Sequence, residues 1–184
     1  ASPFGAGVAA LVREAHPSWD PAEVKTAVMN PAAADVWRGE NRTGLRLPPM
    51  RVGSGRIDAA AALATSVLAG NADEPGAVSV TFGTVDVPPG QPLVRRERVR
   101  VRDTGAFPAG LSVGYEPVTR VPGVRIDVAP SRVTVMPGVD AFVEVTMRID
   151  DPAALRRTAD PTLALEQEGR PRDYLADASG HLVL

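Results

Sequence analysis

Cysteine is absent from the 184 residues, which excludes disulfides and thiolate-ligated metals but leaves the redox compartment open. Histidine is nearly absent too. The two copies, His16 and His181, stand near opposite ends of the chain, and no carboxylates cluster beside them, so no metal-ligand spacing exists. Neither sign of charge is in excess: 20 Lys and Arg stand against 22 Asp and Glu. A net charge of −2 implies no broad basic field, and nucleic acid is not an expected partner. No apolar run approaches the roughly 20 residues of a membrane-spanning helix. No secretory leader is visible, as expected if further residues precede Ala1. Aromatic residues are only 4% of the chain, which leaves little material for an aromatic binding surface.

Glycine (17) and proline (18) are frequent, and they punctuate two unlike halves. Alanine and helical periodicity dominate to about Gly70; valine, proline and strict alternation follow. The chain opens with a nearly uncharged stretch. Phe4, Val8, Leu11, Val12 and Ala15 recur at helical spacing, and Gly or Ala fills most gaps between them. A helix that is apolar all round is buried all round. Glycine costs about 1 kcal/mol against alanine inside a helix, so Gly5 and Gly7 point to close packing rather than helix propensity. The next sixty residues offer little sheet to cover such a helix. The expectation is that the chain is the tail of a larger protein, whose preceding part covers this helix.

Two more helices follow. Asp20-Pro21-Ala22-Glu23 has a cap, a proline at the first helical position and the acid that closes a capping box. That helix carries Val24, Ala27 and Val28 inward and stops near Asn30, before Pro31, with Trp19 stapling its entry. Residues 31–52 read as irregular, with 38–42 as an exposed tip. A third helix is capped by Asp58 and is expected to run to Gly70. Ser2, His16 and Asp35 do not make a catalytic triad on this reading. A nucleophilic serine needs its base within hydrogen-bond reach. Ser2 and His16 flank one helix and lie about 20 Å apart at 1.5 Å per residue. Ser2 reads as a cap, His16 as a turn residue and His181 as a surface residue.

Residues 71–76 read as a linker. Alternation then marks strands at 78–82, 99–102, 111–115, 124–128, 133–136 and 143–149, with a helical turn at 151–157 and final strands at 163–166 and 181–184. Strands at this spacing over about 100 residues indicate a β-sandwich. The chain stops on a strand, so the sandwich is expected to lose some closing residues. The run Arg95, Arg96, Arg98, Arg100 and Arg102 has two readings: a surface for an acidic partner or polysaccharide, or a solvated strand face that resists edge pairing. Phe107 and Tyr115 are the candidates for an exposed aromatic patch.

The opening Ala1-Ser2-Pro3, then His16-Pro17-x-Trp19-x-Pro21-x-x-Val24-Lys25-x-x-Val28-Met29, then Gly53-x-Gly55-Arg56-Ile57-Asp58-Ala59, resembles the C-terminal end of a subtilisin-like serine protease domain. Residues 77–184 resemble the fibronectin type III-like domain that follows it in many large secreted subtilases. That second likeness rests on the 98–105 stretch, on Val128-Ala129-Pro130-Ser131-x-Val133-x-Val135-x-Pro137-Gly138, and on Gly169-x-Pro171-Arg172-x-Tyr174 before Ser179-Gly180. The resemblance implies a mixed fold: residues 1–70 as helices of a subtilisin-like α/β catalytic domain, a 71–76 linker, and a 77–184 β-sandwich.

In that family the first helix opens Gly-Thr-Ser-x-Ala-Ser-Pro-His, and the nucleophilic serine stands two residues before the alanine that matches Ala1. The resemblance therefore places no catalytic residue on this chain; the nucleophile is expected just upstream of Ala1, and the remaining triad members further upstream still. Phe4 and Gly5 depart from the family's usual His and Val. No cofactor and no metal ligand are implied. The expected partners are the upstream part of the same catalytic domain and the parent's protein or peptide substrates, and the expected location is extracellular. The alternative reading is a non-catalytic sandwich that binds or spaces.

Overall fold

The computed structural model describes residues 2–184. Its first part is helical: α1 (Ser2–Ala15), α2 (Pro21–Met29), α3 (Pro49–Val52) and α4 (Ala59–Ala64). Asp20 caps α2 as its chemistry predicts. Its carboxylate accepts from the Glu23 N–H at 2.8 Å, and Glu23 accepts in return from the Asp20 N–H at 2.9 Å. Asp58 caps α4 by accepting from the Ala61 N–H. Val8, Val12, Trp19, Val24, Ala27, Ala62 and Leu68 make one small core.

Antiparallel strands make up the second part. The main sheet has the order β1 (Val67–Asn71), β2 (Leu93–Asp103), β7 (Ala141–Ile149), β5 (Arg125–Ala129). Facing it are the pairs β3 (Ala109–Ser112) with β6 (Arg132–Val135) and β4 (Gly114–Thr119) with β10 (Ser179–Val183). A small hairpin, β8 (Glu166–Gln167) with β9 (Arg170–Pro171), projects from the long segment before β10. Ala69, Val99, Val101, Val113, Val135, Val143 and Val145 form the core between these layers. The alternation of β7 is realised, with Val143, Val145, Met147 and Ile149 all buried. The fold is thus mixed: helices first, then antiparallel sheets packed as a sandwich.

Several elements differ from expectation. The third helix ends at Ala64, not Gly70, and residues 67–71 are a strand. Thr65 turns to extended backbone (ψ 132°), and the next residues find ladder partners on β2, from Val67 opposite Asp103 to Asn71 opposite Val99. Helical spacing in Leu63, Val67 and Leu68 gave no warning of this, because a short apolar run serves either period. Residues 78–82 form no ladder; Val80 and Phe82 pack on the sandwich core while their backbone stays outside the sheets. The stretch 111–115 divides between β3 and β4, and α3 falls inside the region read as irregular.

Candidate functional site

The helix α1 carries the feature that most needs explaining. Only Val8 and Val12 on it are buried. Phe4 is 59% exposed and Leu11 47%, and Ala6, Gly7 and Ala10 lie open with them. At 100° per residue these positions form the side of the helix away from α2 and α4. The all-round burial expected from the sequence is therefore met on one face only within this chain. A Cβ at Gly7 would touch nothing within 4 Å, while one at Gly5 would sit 3.7 Å from the Ile57 side chain. Beside this face, Ala9, Arg13, Pro21, Val24, Lys25, Val28 and Met29 line an apolar groove of about 490 Å³ between α1 and α2.

The three residues weighed as a triad lie apart. Ser2 begins α1 and His16 follows its last residue. The His16 ring stacks on Trp19 at 3.7 Å, with its Nε2 buried and unpartnered, while Arg13 donates to the Trp19 carbonyl. Asp35 is committed to two arginines, Arg42 at 2.7 Å and Arg56 at 3.0 Å. The Arg56 hydrogen bond, more than any other influence, holds its carboxyl below the ordinary range. The Gly53–Ala59 motif also has a structural explanation. Gly55 takes φ +119°, and a Cβ there would lie 2.2 Å from the Ala33 carbonyl oxygen. This approach lets Arg56 and Ala33 exchange backbone hydrogen bonds at 2.9 and 3.0 Å.

On the sandwich, the arginines of β2 are largely matched by carboxylates. Arg96 meets Glu144, Arg98 meets Asp73, Arg100 meets Asp140, and Arg102 meets both Asp140 and Glu23. Hydrogen bonding to Asp140 raises the Arg102 pKa further and lowers that of Asp140. The run is a mixed-charge face rather than a basic strip. Of the two candidate aromatics, Phe107 is 82% exposed, but Tyr115 is half-buried, and desolvation raises its phenol.

His181 is also half-buried rather than on the open surface. It stands opposite Glu116 in the β4–β10 ladder, where Arg46 from the helical part makes a 3.7 Å ion pair with Glu116. Desolvation first, then Arg46, lowers its pKa, and Glu116 opposes them. Thr119, Asp177 and Ser179 form a hydroxyl–carboxylate network in which the Ser179 hydroxyl donates to Asp177 at 2.7 Å, with no histidine in it, so it lacks the Ser–His pairing of a triad. Among the described residues, no three His, Asp or Glu side chains gather as a metal cage. Among the described residues, no helix is long and apolar enough to cross a membrane.

Comparison with known proteins adds one relation. No family model matches the chain. A subtilisin-like protease of Arabidopsis thaliana, SBT2.6, is 27% identical to it over 188 aligned positions. The chain is distantly similar to a subtilisin-like protease. The alignment takes in 81% of this chain but only 23% of the plant protein, so the chain spans under a quarter of that relative's length.

Sequence reasoning took Asn30 only as a helix end, whereas its side chain bonds the backbone of Ala69. Its only signal was a polar residue at a helix C-terminus beside an apolar run. The groove between α1 and α2 had no sequence signal at all, because it depends on the crossing of two helices.

Proposed function

We propose that this chain is the C-terminal portion of a secreted subtilisin-like serine endopeptidase. Residues through α4 belong to its catalytic domain, and those from β1 onward form the fibronectin type III-like sandwich. The observation that carries this reading is the outward face of α1, beginning at Ser2-Pro3 and continuing through Phe4, Gly7, Ala10 and Leu11, apolar and open. A helix of this composition is stable in water only against a cover. The similarity to the plant subtilisin-like protease supports the catalytic domain as that cover.

On this reading the parent hydrolyses peptide bonds through an acyl-enzyme. Its nucleophilic serine stands just before Ala1, at the N-terminal end of α1. There the helix dipole and free N–H groups stabilise the developing oxyanion. The sandwich is a spacer rather than a binding module, since its arginine face is charge-matched and its exposed aromatics are only Phe107 and Phe142.

The test has three arms. The purified chain should leave casein intact, and the coding sequence before Ala1 should specify Gly-Thr-Ser-x. A longer gene product containing this chain should be labelled by a fluorophosphonate at that serine. Casein hydrolysis by the chain alone, blocked by a serine-directed reagent, would overturn the reading, as would an unrelated sequence before Ala1.

A further inference from the structure

We propose that Asn30 serves as a surrogate strand residue: its side-chain amide closes the free backbone edge of β1 and makes the helical part and the sandwich unfold as one. The inference concerns this chain's own cohesion and stands apart from the protease reading.

β1 is the end strand of the four-stranded sheet. One of its backbone edges is satisfied by β2. The other edge would be open, and an open edge invites pairing with another chain. At Ala69 it is closed by Asn30. The Ala69 N–H donates to Asn30 Oδ1 at 2.7 Å, and Asn30 Nδ2 donates to the Ala69 carbonyl at 3.0 Å. A carboxamide carries the same acceptor and donor as a peptide group, so this pair reproduces one rung of a ladder. Two residues on, the Asn71 N–H donates to the Ala77 carbonyl at 2.9 Å, which closes the next position.

Asn30 is held for this task. It ends α2 in helical conformation, with its own N–H bonded to the Thr26 carbonyl at 2.8 Å. The side chain therefore leaves the helix end at a fixed place. The strand it grips lies between two cores. Leu68 belongs to the helical cluster and Ala69 to the sandwich cluster, because successive strand residues face opposite ways. Arg102 with Glu23 at 3.5 Å, and Lys25 Nζ with the Gly76 carbonyl at 2.8 Å, add exposed or half-exposed contacts across the same junction. The Asn30 pair satisfies both backbone groups of the buried Ala69, where a lost partner matters most. Away from β1, Arg51 adds one further bond of the helical part to buried backbone, donating to the Thr162 carbonyl at 2.8 Å.

Both tryptophans, Trp19 and Trp37, lie in the helical part, so fluorescence excited selectively at tryptophan, and not at Tyr115 and Tyr174 of the sandwich, reports that part. The amides of Val101 and Val143 report the sandwich core. In the wild-type chain, urea unfolding followed by fluorescence and by amide exchange should coincide. In Asn30→Leu, the Ala69 amide should exchange on the order of tenfold faster relative to Val143, and the fluorescence transition should move to lower urea than the sandwich transition.

If that variant does not fold, Asn30→Asp carries the test. Its carboxylate keeps the acceptor for the Ala69 N–H but loses the donor to the Ala69 carbonyl. Coupling should weaken at neutral pH and return once the carboxyl is protonated and can donate again. Separate transitions in the wild type would overturn the proposal. So would equal shifts of both probes in Asn30→Leu with Ala69 still protected, or a pH-independent Asn30→Asp.

Discussion

At the scale of single residues, similar side chains have different fates according to what stands beside them. Asp20 and Asp58 have free neighbouring N–H groups and become caps, while Asp35 has two guanidinium groups and becomes an anchor. Neither histidine has a carboxylate positioned as an orienting partner, so neither is equipped as a catalytic base. His181 nonetheless has a measurable consequence. Its burial beside Arg46 favours the neutral ring and places its folded-state pKa below the usual 6.5. The unfolded chain therefore takes up this proton at higher pH than the folded one. The stabilisation is fully present above pH 6.5 and is lost as pH falls through that value toward the folded pKa. Urea melts at pH 7 and pH 5 should show a larger drop for the wild type than for His181→Gln. Equal drops would mean that the ring is solvated in the folded state.

Among elements, α1 is the one whose composition exceeds its surroundings. Val12 is fully buried, while its neighbour Leu11 faces outward. Val12→Ala should cost roughly 2 kcal/mol, from two lost methyl groups and the space they leave. Leu11→Glu should change the stability of this chain by less than about 0.5 kcal/mol. Urea midpoints at constant slope measure both. A large loss for Leu11→Glu would mean that the outward face already packs within the chain, which removes the reason for proposing an external cover. β1 shows the converse case, an element defined by its neighbours more than by its own residues. The sequence Val-Leu-Ala-Gly-Asn has no strong alternation, yet it becomes a strand between the β2 ladder on one edge and Asn30 and Ala77 on the other.

For the whole molecule, charge is nearly balanced in sum and is also balanced locally on the sheet face. An acidic polymer would have to displace Glu144, Asp73 and Asp140 from arginines that they already neutralise. Exposed pairs of this kind contribute little to stability, but they cancel the field that would steer a polyanion. The chain should therefore pass through a heparin column at about 0.15 M salt, where the Debye length is about 8 Å. Retention well above that salt concentration would show that the arginines are available after all.

Local chemistry alone decided the caps and bounds of α2, the cap of α4, the alternating face of β7 and the mixed order of helices followed by strands, because each depends on residues within one turn or one strand. The tertiary structure alone decided that residues 67–71 join a sheet, that 78–82 do not, and that α1 is covered on one side only. It also decided that the β2 arginines meet acids from other strands and loops, and that Asn30 reaches a strand thirty-nine positions away. These outcomes depend on which backbone edges and charges are left free once distant segments have packed, and no local pattern records that.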